Sequence, residues 1–264
     1  IHNSTDEQAS SNFNISGTGT ADIFNAATQY DIGGNRILSS SNFNTFLGFS
    51  AGAVTTGHSN TFVGGAAGLK NTSGIFNSFF GFAAGNENLV GHSNAFFGNQ
   101  AGQLNTSASN NSYFGRDAGS RNQTGSDNSI FGSGAGFENL ANRNSFFGAS
   151  AGRSNTTGTL NAFFGYRAGW GNIVGSNNSF FGEQAGAASN ASGNTFIGRL
   201  SGLNTTTGGS NTAVGQASLT GNITGTLNSA LGHGANVGSD NLTHATAIGA
   251  FAVVSSSNTI ALGR

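Results

Sequence analysis

The segment Asn-x-Phe-Phe-Gly returns every 16 or 17 residues through most of the chain, and this constrains the fold more than any single residue does. It reads Asn77-Ser78-Phe79-Phe80-Gly81, then Asn94-Ala95-Phe96-Phe97-Gly98, then Asn111-Ser112-Tyr113-Phe114-Gly115. The opening asparagines fall at 44, 60, 77, 94, 111, 128, 144, 161, 178, 194, 211 and 228. A period this short is one supersecondary unit per repeat. Such a unit cannot bury its apolar face alone, so the units above and below must cover it.

Counting from the asparagine, position 5 is glycine from Gly48 to Gly249, and positions 8 and 9 read Ala-Gly from Ala51-Gly52 to Ala185-Gly186. Position 12 is often asparagine and position 15 often glycine, as at Gly74, Gly91 and Gly125. Each glycine marks a corner that needs a positive φ or a close approach to a neighbour. The stretches between corners are too short for a 3.6-residue period, so they read as strands. Two or three short strands per coil, stacked about 4.8 Å apart, make a parallel β-solenoid. The fold class is therefore all-β, a β-roll of about 13 coils rising roughly 60 Å at that spacing. Residues 41–264 form the repeat domain, and residues 1–40 a preceding extended segment.

A coil this small has room for one large column. Position 4 (Leu47, Val63, Phe80, Phe97, Phe114, Phe131) set against alanine at position 8 fills it without voids. Position 3 is also large: Phe46, Phe62, Phe79, Phe96, Tyr113, Ile130. Adjacent strand residues point to opposite faces, so one of the two columns leaves the interior. An exposed aromatic stripe of several hundred Å² is rare on monomers. Its simplest cover is the same column on further copies around a shared axis, which makes a homo-oligomer the expected state.

The asparagines at position 12 (Asn71, Asn88, Asn105, Asn122, Asn139, Asn155, Asn172, Asn222) read as a hydrogen-bonded amide ladder. Asn71, Asn105, Asn122, Asn155 and Asn222 also begin Asn-x-Ser/Thr acceptor sequences for glycosylation. Asn88, Asn139 and Asn172 keep the asparagine without the acceptor, so the ladder explains the column better than a sugar does.

Little else carries chemistry. Nine Lys plus Arg against ten Asp plus Glu give a net charge of -1, which argues against nucleic acid as a partner. Apolar runs are far short of the roughly 20 residues a membrane span needs. There is no Cys, hence no disulfide framework and no thiolate site. Absent proline suits continuous strand ladders. Absent methionine means that Ile1 is not a translation start, so either a targeting segment was removed or this is a piece of a longer protein. Glu87 and Glu138 share position 11 but lie three coils apart, about 14 Å, too far for a glycosidase pair. The histidines (His2, His58, His92, His233, His244) lack metal-ligand spacing. No catalytic, metal or cofactor site is predicted, and the chain reads as a non-enzyme. The hydroxyls at position 2, from Thr45 to Thr212, are too irregular for an ice-binding array. Phe49, Phe82 and Tyr166 at position 6, with Phe137 and Trp170 at position 10, interrupt a small or polar lateral wall. They are candidate platforms for a glycan or a host-surface partner, or else subunit contacts.

Ala245-Thr246-Ala247-Ile248-Gly249-Ala250-Phe251-Ala252, followed by Asn258-Thr259-Ile260-Ala261-Leu262-Gly263, resembles the head repeats of trimeric autotransporter (YadA-like) adhesins. The longer, more aromatic units from 44 to 227 are similar to these, and to repeats of bacterial surface and phage tail-fibre-like proteins. The resemblance implies a left-handed β-roll in a homotrimer, serving as a cell-surface adhesin or secreted extracellular filament. The alternatives it leaves are a phage-type tail fibre and a carbohydrate-binding solenoid module. Position 3 shrinks from Phe196 to Ala213, Ala230 and Ala247, so the assembly is expected to narrow toward the C-terminus. Residues 1–40 are expected to cap the first coil or to reach a neighbouring copy, which would join copies end to end into filaments.

Overall fold

A computed structural model describes residues 29–32 and 35–263. The asparagine-led repeats wind into a parallel β-solenoid of one continuous sheet. Each coil gives that sheet one short strand, from β3 (Asn44–Leu47) and β4 (Thr61–Val63) through β5 (Ser78–Phe80), β6 (Ala95–Phe97), β7 (Ser112–Phe114) and β8 (Ser129–Phe131). The series continues through β9 (Ser145–Phe147), β10 (Ala162–Phe164), β11 (Ser179–Phe181), β12 (Thr195–Ile197), β13 (Thr212–Val214) and β14 (Ser229–Leu231) to β16 (Thr246–Ile248) and β18 (Ile260–Leu262). Equivalent repeat positions pair in every parallel register, Phe79 with Phe96 and Phe80 with Phe97. A second sheet, β15 (Asn236–Val237) with β17 (Val253–Val254), appears only in the last coils.

The expectation of two or three strands per coil is therefore corrected to one, with a second only in the last coils. The remainder of each coil is turn, because left-handed residues recur within it. Besides the glycines, the seventh and last positions of each coil are left-handed even when occupied by bulky residues. Arg167, Leu200, Phe76, Leu160 and Leu227 all have φ between 54 and 59°. An L residue held there costs roughly 1–2 kcal/mol. Such strain persists only where the surroundings over-determine it. Here the stacked coils above and below do so through hydrogen bonds such as Phe76 N–H to His58 O.

Position 3, not position 4, fills the interior. Phe62, Phe79, Phe96, Tyr113, Phe146, Phe163, Phe180 and Phe196 are fully buried against the alanines of position 8. Their rings stack at 4.7 to 5.0 Å, the coil spacing, apart from one break at Ile130. The position-9 glycine shows why the ring fits. A Cβ built on Gly102 would lie 2.5 Å from the Phe96 ring, so the aromatic edge occupies the space of the missing side chain. At position 5 the constraint is backbone on backbone. A Cβ on Gly98 (φ 140°) would meet the Gly115 carbonyl oxygen at 2.4 Å.

The size change at the C-terminal end is likewise internal. Where Phe196 gives way to Ala213, the position-9 glycine gives way to Leu219, and both Ala213 and Leu219 are buried. Val237, Leu242 and Val254 fill the following coils. The expected narrowing is thus a swap of which wall supplies the large side chain.

Position 1 also points inward and welds the coils. Asn94 Nδ2 donates to the Ala108 carbonyl across its own coil at 2.8 Å, while its Oδ1 accepts the backbone N–H of Asn111 from the next coil at 3.0 Å. The same pair of bonds recurs at Asn77, Asn111, Asn144 and Asn161. Two otherwise unsatisfied buried backbone groups per coil are met this way.

At the N-terminal edge, β1 (Gln29–Ile32) and β2 (Asn35–Ser41) form an antiparallel hairpin, and β2 pairs antiparallel with β3. The first coil is capped by its own chain. Residues 1–28 of the expected N-terminal segment lie outside the described residues.

Candidate functional site

The outer face of the sheet carries positions 2 and 4, hydroxyls beside aromatics. Phe80, Phe97, Phe114, Phe131, Phe147, Phe164 and Phe181 stack there at 4.6 to 4.8 Å with rings within 7° of parallel. Most are half-buried by their own neighbours, and Phe181 is exposed. Apolar side chains extend the stripe at both ends, Leu47 and Val63 on one side and Ile197, Val214, Leu231 and Ile248 on the other. This corrects the sequence reading, which put these residues inside and position 3 out. Alternation alone cannot tell the two arrangements apart.

The five aromatic candidates on the lateral wall are spread along the axis, so they form no common platform. Phe49 and Phe82 are 56% and 58% exposed, two coils apart. Tyr166 and Trp170 share a coil and are also exposed. Phe137 is half-buried, with the Arg121 guanidinium 4.9 Å and the Arg153 guanidinium 4.7 Å from its ring centre. These two arginines come from the coils on either side of Phe137. Beside them lies a groove of about 500 Å³ that also takes in Arg116, Asp117, Gln100 and Gln103. The sequence reading found the ring but missed the arginines. Their signal was available: three of nine basic residues fall at lateral positions within three consecutive coils.

The position-12 asparagines form the expected ladder in two runs. Asn88 Nδ2 donates to Asn71 Oδ1 at 2.7 Å and Asn105 to Asn88 at 2.5 Å, then Asn155 to Asn139 at 2.6 Å and Asn172 to Asn155 at 2.9 Å. Each interruption has a cause. Asn122 turns to the buried Tyr113 hydroxyl at 2.6 Å, leaving Asn105 Oδ1 without a partner. Ser189 follows Asn172 and has no amide to donate, leaving Asn172 Oδ1 likewise unpaired. Burial pushes the Tyr113 hydroxyl pKa well above its ordinary value, against the opposing effect of its hydrogen bonds to Asn122 and Asn128. Asn71, Asn105, Asn122, Asn155 and Asn222 are all fully buried. In the folded coil none is presented to a glycosyltransferase, which corrects their reading as acceptors.

Four acids lie in separate surface ion pairs: Lys70 with Glu87 at 2.7 Å, Arg121 with Glu138 at 2.8 Å, Arg199 with Glu183 at 3.2 Å and Arg116 with Asp117 at 3.6 Å. Among the described residues no three His, Asp or Glu side chains gather as metal ligands, and no helix is long and apolar enough to cross a membrane. No protein-family model and no curated protein matches the chain.

Proposed function

We propose that this chain is a non-enzymatic structural segment of an extracellular fibre or adhesin, with copies packed side by side through the outer aromatic column as a homotrimer. The observation that carries the reading is that column: seven stacked phenylalanines on an outer sheet face with no second layer over it among the described residues. Over fourteen parallel strands the stripe runs about 65 Å at the usual strand spacing. It offers several hundred Å² of apolar surface, a size that monomers rarely leave open and that approaches the about 800 Å² per partner of a stable interface. The flanking position-2 residues are uncharged hydroxyls and alanines, so nothing there repels a second copy. Closed cyclic packing buries one stripe per chain around an axis. The trimer and the extracellular setting draw further on the similarity of the repeats to autotransporter adhesin heads. End-to-end joining into filaments belongs to the same reading, with β1 rather than β3 as the N-terminal strand edge.

Light scattering and sedimentation of the purified chain test it. A trimer is expected, and the double variant F114K/F147K should sediment as a monomer with unchanged circular dichroism. A wild-type chain that stays a stable, soluble monomer overturns the reading.

A further inference from the structure

The lateral wall of the solenoid is dented where Ser120 takes the position that holds Trp170 elsewhere and Ser133 the position that holds Phe82 or Tyr166, with Gly134 and Ser150 beside them at position 7. From this dent and its rim we infer that the groove binds an acidic saccharide, a sugar chain bearing carboxylate or sulfate groups. The inference does not depend on whether copies associate, since the groove lies away from the outer sheet face.

Charge is the first argument. Arg116, Arg121 and Arg153 line the groove against the single lining acid Asp117, with Glu138 next to it. Arg121 Nη1 is held by both Glu138 oxygens, at 2.8 and 3.1 Å, and Arg116 lies 3.6 Å from Asp117. Among the described residues no carboxylate comes within 4.0 Å of the Arg153 guanidinium. Its charge rests on the Phe137 ring at 4.7 Å. A guanidinium stacked on a ring keeps its in-plane N–H donors for a carboxylate or sulfate, and it is already ordered before the ligand arrives.

Shape and lining select the rest of the ligand. The groove crosses four coils, from Gln100 to Arg153, or about 15 Å along the axis by the coil spacing. An extended chain fits that better than a single small ion. The Gln100 and Gln103 amides and the serine hydroxyls supply both donors and acceptors, as sugar hydroxyls require. Guanidiniums from the coils on either side clasp Phe137, so its ring faces are not available for stacking a nucleobase. Single-stranded nucleic acid relies on such stacking platforms, together with a groove of many cations.

The full chain is to be titrated calorimetrically at low salt with oligogalacturonate, using neutral dextran and a single-stranded oligodeoxynucleotide as controls. Oligogalacturonate should bind and weaken as salt rises. R153Q should lose about tenfold and R116Q/R153Q about 100-fold, in line with charge-assisted hydrogen bonds at each guanidinium. R143Q, outside the groove lining, should match wild type, and all variants should keep the wild-type melting curve. The inference is overturned if wild type fails to bind oligogalacturonate, if R116Q/R153Q binds it as well as wild type, or if dextran or the oligodeoxynucleotide binds equally tightly.

Discussion

Phe96 and Phe114 are nearly identical in sequence setting, yet the solenoid puts one inside and one outside, so truncating each to alanine separates the two faces. Phe96 is fully buried and stacked 4.8 Å from Phe79 and 4.9 Å from Tyr113. Removing its ring leaves a void whose walls cannot close, because the strand ladder fixes both neighbouring rings and Gly102 has no side chain to move in. A cost of about 3–5 kcal/mol is expected, the range for a buried Phe whose site does not collapse. Phe114 is half-buried on the outer face. About half of the roughly 1.5–3 kcal/mol for burying such a side chain is at stake, so within one chain its loss should be about 0.8–1.5 kcal/mol. The assay is urea denaturation followed by circular dichroism at several protein concentrations. The Phe96→Ala loss should not depend on concentration. The Phe114→Ala loss should grow with concentration, since binding between copies stabilises only the folded chain. Equal losses at low concentration, or a larger loss at Phe114, would refute the placement of the two columns.

Asn94→Ala removes the bond to the Ala108 carbonyl and leaves the buried Asn111 N–H unpaired, so it should cost about 2–4 kcal/mol. Hydrogen exchange should localise the loss to the adjoining coils. Gly98→Ala should prevent normal stacking, because its Cβ would strike the Gly115 carbonyl at 2.4 Å, whereas Gly65→Ala meets only the Phe82 ring at 3.5 Å and should melt within about 0.5 kcal/mol of wild type. Tyr113→Phe should be near neutral at pH 7, within about 1 kcal/mol, because Asn122 is then released to the unpaired Asn105 Oδ1. The folded-state pKa of Tyr113 is raised, so its contribution is fully present below the unfolded value near 10. Above that pH the unfolded chain loses the proton first, and stability should fall by about 1.4 kcal/mol per pH unit until the folded pKa is passed. Thermal melts from pH 9 to 11 should show this component vanish in Tyr113→Phe.

The period, the parallel stacking and the position-12 amide ladder were legible because each repeats in one dimension, where identical residues must meet. The facing of the Phe-Phe pair was not. Two large neighbours satisfy strand alternation equally well in either orientation, and the alanine at position 8 suits both. The deciding clue lies at the irregular end, where Ala213 coincides with Leu219 in place of glycine. Two residues that exchange size across a coil must face each other, and that sets position 3 inside. The turns at positions 7 and 17 escaped for a different reason. Their left-handed backbone is imposed by neighbouring coils, so Leu160 or Arg167 carries no local mark of it. The groove escaped because its arginines matter only together, and their sequence separation hides that.

The hydrogen bonds between coils all run along the solenoid axis, and this gives the molecule a direction of weakness. Tension applied end to end loads those bonds in series, so the rod yields one coil at a time while the rest keeps its stacking. A released coil of about 17 residues extends to roughly 55–60 Å, where it had occupied about 4.8 Å of the axis. Each surrendered coil thus lengthens more than tenfold, adds about 50 Å to the rod and dissipates work. Force across the axis meets the covalent chain instead, wound once around every coil, and there the same molecule is stiff.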